Sequence, residues 1–219
     1  ITITEDKVAP VASINNTTGT TQLNCNTTSI NVTATGGGTY SWNGGLGNNA
    51  SATITAAGTY TVTVTGANGC TSTASIVITS NTTTPTAGIT NLTGSTVITC
   101  SVPVINVLAT GGTSYSWSGG LGNIDSAAIT TAGTYTVTVR GANGCASTAS
   151  ITVTSNTTTQ SAAITNNTGA TELNCTRTSI SVTATGGGTY AWDNGLGSNP
   201  NQTITAPGVY VVTVTGSNG

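Results

Sequence analysis

The amino-acid sequence predicts an all-β protein of tandem sandwich repeats, 75 residues in period and arranged end to end, and three observations carry that prediction. Val, Ile and Thr recur throughout, and these β-branched side chains fit a pleated, half-buried surface. Apolar and polar residues alternate with a period of two over several short runs. The chain also repeats itself: Trp42, Trp117 and Trp192 are spaced by 75, as are Tyr40, Tyr115, Tyr190 and Tyr60, Tyr135, Tyr210, with no insertion.

Within one repeat the elements follow in order. Alternation appears in Ile30-Asn-Val-Thr-Ala34, in Tyr40-Ser-Trp42, around Ile54, in Thr59-Tyr-Thr-Val-Thr-Val-Thr65 and in Ala74-Ser-Ile-Val-Ile78. Tyr60, Val62 and Val64 share one face of the fourth run, with threonines on the other. Gly-rich and Asn-Gly turns separate the runs, which predicts six or seven short strands per repeat. Ala67-Asn-Gly69 supplies residues that accept positive φ, so the last two strands are expected to form a hairpin with a tight connection near Cys70. Ile1-Thr-Ile-Thr4 aligns with Ile76-Val-Ile-Thr79 and Ile151-Thr-Val-Thr154. The expected division is therefore residues 1–5 as the last strand of a preceding repeat, then repeats over 6–80, 81–155 and 156–219. The third is expected to stop before its second cysteine, because Thr215-Gly-Ser-Asn-Gly219 matches Thr65-Gly-Ala-Asn-Gly69, which runs into Cys70.

The cysteines obey the same period, with Cys25, Cys100 and Cys175 in one series and Cys70 and Cys145 in the other. Seventy-five residues bury a small core, and such domains are marginal without a further staple. Disulfides from Cys25 to Cys70 and from Cys100 to Cys145 would each close a loop of about 45 residues and contribute roughly 4 kcal/mol on a chain-entropy basis. On that scheme the partner of Cys175 is lost by truncation. The pairing requires the turn after Cys25 and the turn before Cys70 to share one end of the sandwich. Free thiols, a metal site and a bridge between repeats, such as Cys70 to Cys100, compete with it. Bridges in every repeat imply an oxidising compartment, hence secretion. A metal finds little support: the chain has no His, and Glu5, Asp6, Asp125, Glu172 and Asp193 do not recur at the repeat period. No cofactor is expected.

Composition narrows the function classes. Charged residues are 4% of the chain and the net charge is −2, with Lys7, Arg140 and Arg177 the only cations, so the basic stripe that a phosphate backbone requires is missing. No apolar run reaches the roughly 18 residues that span a bilayer, and no membrane contact is expected from this segment. No nucleophile–base pair or carboxylate pair can be assembled, which argues against an enzyme. Trp42, Trp117 and Trp192 share strand parity with the tyrosines two residues before them and read as core aromatics, as do Tyr60, Tyr135 and Tyr210. The competing reading makes each Trp a sugar platform beside the Asn43-Gly-Gly-Leu-Gly-Asn48 loop. Asp125-Ser126-Ala127 resembles a bacterial O-glycan attachment site, making Ser126 a glycosylation candidate. Asn-x-Ser/Thr triplets, among them Asn16, Asn31 and Asn81, follow from an Asn- and Thr-rich composition. Glu5-Asp6 reads as a solvated pair rather than a calcium site, because its equivalents Ser80-Asn81 and Ser155-Asn156 are neutral. Lys7 is the only lysine, so repeated Lys–Asn isopeptide links are excluded.

Each repeat thus carries a Cys before a Val/Ile strand, a Tyr-x-Trp stretch (Tyr40-Ser-Trp42, Tyr115-Ser-Trp117, Tyr190-Ala-Trp192), a Gly-Thr-Tyr-Thr-Val-Thr-Val-like strand and an Asn-Gly-Cys turn. This set resembles the immunoglobulin-like or PKD-like repeats of very large bacterial cell-surface adhesins, in particular gliding-motility adhesins exported by the type IX route. PKD modules carry Gly-Asp-Gly after the Trp, whereas Trp42-Asn-Gly-Gly-Leu-Gly47 stands here, so the PKD likeness is one of topology. The resemblance implies a β-sandwich, an extracellular location on the bacterial surface and a long filamentous array. The joins Ser80-Asn-Thr-Thr-Thr84 and Ser155-Asn-Thr-Thr-Thr159 are short and lack glycine, which restricts swing between neighbours. The expected role is a structural stalk or filament segment that extends a distal adhesive or motility-related tip; the alternative is a repeated glycan- or surface-binding module. Its expected partners are the neighbouring repeats, other copies of the filament and surface glycans, with no nucleic acid.

Overall fold

The computed structural model describes residues 1–219 and contains strands, turns and loops without a helix. In the first repeat the strands are β1 (Ser13–Asn16), β2 (Gln22–Asn24), β3 (Ile30–Thr35), β4 (Thr39–Trp42), β5 (Ser51–Ile54), β6 (Gly58–Thr65) and β7 (Thr71–Asn81). They form two sheets, ordered β1-β3-β5 and β2-β7-β6-β4. Neighbours are antiparallel except β2, which runs parallel to the end of β7, with Gln22 opposite Thr79 and Asn24 opposite Asn81. The period-two pattern decides which face is inward. In β3, Ile30, Val32 and Ala34 are buried while Asn31 and Thr35 are exposed. The inner faces meet over Ile30, Val32, Ile54, Val62, Val64 and Ile78, each at most 2% exposed. This is an immunoglobulin-like β-sandwich, and β6 and β7 are the expected hairpin, paired from Gly58↔Ile78 to Thr65↔Thr71.

The same strands recur in the second repeat as β8 (Gly88–Asn91), β9 (Val97–Thr99), β10 (Ile105–Thr110), β11 (Ser114–Trp117), β12 (Ser126–Ile129), β13 (Gly133–Arg140) and β14 (Ala146–Asn156), each 75 residues after its counterpart. The third repeat holds β15 (Ala163–Asn166), β16 (Ile180–Thr185), β17 (Thr189–Trp192), β18 (Asn201–Ile204) and β19 (Val212–Thr215). Register is transposed with the sequence: Trp42 faces Val62, Trp117 faces Val137 and Trp192 faces Val212.

By backbone contacts the chain divides into two compact units. The first comprises Ile1–Ile89, Ala109–Asp125 and Thr136–Ala149, and holds the complete first sandwich with its core. The second comprises Thr90–Leu108, Ser126–Tyr135 and Ser150–Gly219, and holds β15-β16-β18 and the two-stranded sheet β17-β19 over a core of Ile180, Val182, Ala184 and Trp192. In this unit Val212 and Ile204 are half-buried where Val62 and Ile54 are fully buried.

Residues 1–5, expected as a strand, run instead as irregular chain, with Ile1 and Ile3 exposed.

Candidate functional site

The aromatic residues of each repeat are built into the sandwich. Trp42, Trp117 and Trp192 are 6%, 6% and 7% exposed. Their indole N–H groups donate to the carbonyls of Asn49, Ile124 and Asn199 at 3.0, 3.1 and 3.0 Å, closing the glycine-rich loop over the ring. The residue after each Trp pins the adjacent strand. The Asn43 Oδ1 accepts from the Thr61 N–H, the Ser118 Oγ from Thr136 and the Asp193 Oδ1 from Val211, at 2.8, 2.8 and 2.9 Å. Tyr60, Tyr135 and Tyr210 reach back four residues, donating their hydroxyls to the carbonyls of Ala56, Thr131 and Ala206 at 3.0, 3.0 and 2.8 Å. This is the tyrosine corner of immunoglobulin-like sandwiches. Sequence reasoning placed these tyrosines among the core aromatics and missed the hydrogen bond; Tyr135 is buried, while Tyr60 and Tyr210 are half-buried.

The cysteines pair differently from the expectation. Cys25 is bonded to Cys145, with Cα atoms 5.0 Å apart and a sequence separation of 120, while Cys70, Cys100 and Cys175 are free. Neither Cys25–Cys70 nor Cys100–Cys145 forms, and the reason lies in β7. Cys70 immediately precedes the first residue of this 11-residue strand, whereas Cys25 follows β2, which lies parallel to the strand's far end. At ~3.3 Å per residue the two ends of β7 are ~33 Å apart, far beyond the reach of a disulfide. The turns after Cys25 and before Cys70 therefore sit at opposite ends of the sandwich. Cys145, by then, is the partner of Cys25 and is not available to Cys100.

Around this bond a module junction can be read from its residues. On one side Asn24 organises the loop carrying Cys25, its Oδ1 accepting from the Asn26 and Thr27 N–H groups at 2.9 and 2.8 Å. On the other side Gly141-Ala-Asn-Gly144 forms the hairpin turn: the Gly144 N–H donates to Gly141 at 3.0 Å, and the Asn143 Oδ1 accepts from the Cys145 N–H at 3.2 Å. Gly144 has φ 78°, in the left-handed region that favours glycine, and a Cβ there would displace the Asn26 side chain. The Cys25 N–H donates to the Asn143 carbonyl at 3.2 Å beside the disulfide. The Asn143 Nδ2 then donates to the carbonyl of Asn81, the Asn81 Oδ1 and the Thr83 carbonyl at 3.2, 3.1 and 2.8 Å. One residue thus ties the connecting segment to the turn that carries the disulfide.

The clamp recurs. The Asn218 Nδ2 donates to the carbonyl and Oδ1 of Asn156 and to the Thr158 carbonyl at 3.1, 3.3 and 2.9 Å. The Asn68 Nδ2 donates to the Asp6 Oδ1 and the Val8 carbonyl at 3.1 and 2.9 Å. Asp6 therefore stands in the acceptor role of Asn81 and Asn156, while Glu5 pairs with Lys7 on the surface. Ser126 opens β12 with an exposed side chain.

No protein-family model matches the chain, and no curated protein matches it. Among solved structures, the chain is similar to a 1.5-MDa bacterial ice-binding adhesin described for its retention on the host cell surface, at 16% identity and a TM-score of 0.43, over 91% of this chain and 88% of that one. It is also similar to the fibronectin(III)-like modules of Clostridium thermocellum CbhA, at 11% identity and a TM-score of 0.32, over 65% of this chain and 95% of that one.

Proposed function

We propose that the chain is a non-enzymatic stalk segment of a secreted bacterial surface adhesin, a spacer that holds a distal adhesive or motility-related tip away from the cell. The junction carries this reading. A disulfide between consecutive repeats, reinforced by an asparagine clamp on the connecting segment, has as its direct physical consequence that one repeat is fixed to the next. Beyond stabilising the fold, that bond couples neighbouring repeats covalently, a coupling that an independent binding unit does not require. The disulfide suits an oxidising compartment outside the cytosol. The Thr-rich outer faces stay hydrated without large fields, with charged residues only 4% of the chain. The tryptophans that a repeated sugar platform would need are buried under their loops.

Electron microscopy of the native array tests the proposal. The 11-residue strand β7 runs ~33 Å from end to end at ~3.3 Å per residue, and the proposed array has an axial step near that length. A continuous filament with that step supports the spacer role. Repeats splayed at random angles, or compact particles with Trp42-dependent sub-millimolar glycan binding, would replace it with the multivalent binding reading.

A further inference from the structure

Cys100 lies beside the turn Gly216-Ser-Asn-Gly219 much as Cys25 lies beside the turn Gly141-Ala-Asn-Gly144. The Asn218 carbonyl accepts from the Ser101 N–H at 3.3 Å, one residue along from the position of the Cys25 N–H, which donates to the Asn143 carbonyl at 3.2 Å. The turn Gly216-Ser-Asn-Gly219 closes like Gly141-Ala-Asn-Gly144, through Gly219 N–H to Gly216 at 3.1 Å and a Gly219 φ of 75°. A Cβ on Gly219 would come within 2.7 Å of the Ser101 Cβ, just as one on Gly144 would meet Asn26, the residue one repeat before Ser101. Cys100, Asn218 and Gly219 line one open cavity. The separation of 120 that links Cys25 to Cys145, counted from Cys100, lands on the residue that would follow Gly219. At the other end, the Gly66-Ala-Asn-Gly69 turn before Cys70 has the same bonds, Gly69 N–H to Gly66 at 2.9 Å and Cys70 N–H to the Asn68 Oδ1 at 3.1 Å.

We propose that Cys70, Cys100 and Cys175 are cross-linking sites of the same kind as the observed bridge, each disposed to bond a cysteine of an adjoining module in a staggered ladder. The first-series cysteine of one module takes the second-series cysteine of the next. The inference rests on the array reading above and adds a covalent consequence to it. Successive loops overlap, because the stretch from Cys100 to Cys145 belongs both to the observed loop and to the one that Cys100 closes. The shortest covalent path through such a ladder crosses from Cys25 to Cys145, follows backbone to Cys175 and crosses again. Most of the backbone is thereby removed from the line of tension.

Each bridge forms by exchange with a low-molecular-weight disulfide such as oxidised glutathione. One protein thiolate attacks it, releasing one glutathione thiolate; the second protein thiolate attacks the mixed disulfide and releases the other. Two protein thiols are oxidised to one disulfide, one glutathione disulfide is reduced to two thiols, and the protons pass to solvent and the leaving thiolates.

The 219-residue chain extended by a single cysteine after Gly219 tests the ladder, with a serine-extended chain as control, both oxidised with glutathione disulfide. After alkylation in denaturant without reductant, intact mass should show three cysteines alkylated or glutathione-capped in the serine-ended chain, Cys70, Cys100 and Cys175, and one fewer in the cysteine-ended chain. Protease digestion and mass spectrometry should then show the appended residue joined to the Cys100 peptide. An appended cysteine that remains alkylatable or glutathione-capped, or joins Cys70 or Cys175, overturns the ladder. The control must retain Cys25–Cys145; its loss would overturn the pattern from which the ladder is drawn. A failed ladder with an intact axial step by microscopy leaves the spacer role standing, and a ladder without that step separates the two in the opposite sense.

Discussion

Asn143 does two incompatible-looking tasks with one side chain, accepting from the Cys145 N–H with its Oδ1 and donating to the Asn81 and Thr83 carbonyls with its Nδ2. Only an amide has both capacities at that length. Asn143→Ala should therefore lower stability by about 1 kcal/mol, and Asn143→Asp by at least as much, because a carboxylate keeps the acceptor but faces two carbonyls without a proton. Thermal denaturation of both variants checks the order; an aspartate tolerated as well as asparagine would show that the donated bonds contribute nothing. Burial makes a second statement at this scale. Trp42, Trp117 and Trp192 should emit at short, core-like wavelengths, and Trp42→Ala should cost about 3–5 kcal/mol; red-shifted emission in the folded chain would contradict the buried rings. The burial was legible in sequence, since Tyr40 and Trp42 share parity in one strand and repeat together. Asn143 was not. Its sequence neighbourhood announces a turn, and a turn-forming asparagine looks the same whether its amide faces solvent or a connecting segment some 60 residues earlier in sequence.

At the scale of elements, β7 and its short companion β2 decide the disulfide. β7 reads plainly as a long alternating strand from Thr71 onward, and its hairpin with β6 follows from the Asn-Gly turn. β2 is three residues, Gln22-Leu-Asn24, with one apolar side chain, too little pattern to reveal that it pairs with β7 in parallel. That pairing carries Cys25 to the end of the strand opposite Cys70, and the expectation of a bridge inside the repeat failed for want of it. The placement gives a contrast between two serine substitutions. Cys70→Ser should leave the Cys25–Cys145 bond and the unfolding midpoint unchanged. Cys25→Ser, at an exposed position, should remove a constraint that closes 120 residues and is worth up to roughly 5 kcal/mol by the chain-entropy estimate. Non-reducing thiol counts with calorimetry on the two variants decide the matter: an equal loss in both would restore the pairing within one repeat.

For the whole molecule, the bond changes how the chain responds to tension. A pull between Ile1 and Gly219 passes along the backbone to Cys25, across the disulfide and on from Cys145; the residues between them carry none of it. Unfolding that intervening stretch cannot lengthen the molecule while the bond is intact. With a separation of 120 residues and ~3.6 Å of contour per residue, about 430 Å should stay hidden in the oxidised chain and appear when the disulfide is reduced. Single-molecule force spectroscopy with handles at the two termini measures this as the difference in total contour length with and without reductant. A difference of that size identifies the bond as a limit on extension, the property a spacer under drag requires. Equal contour lengths in the two conditions would show that the bond is absent under load, and a difference near 45 residues' worth would return the pairing to Cys25 and Cys70. The same rule explains why the cross-link is placed between repeats. A bridge inside one repeat protects only that repeat, whereas a bridge from Cys25 to Cys145 spans the connecting segment from Asn81 to Thr83 and takes the joint itself out of the load.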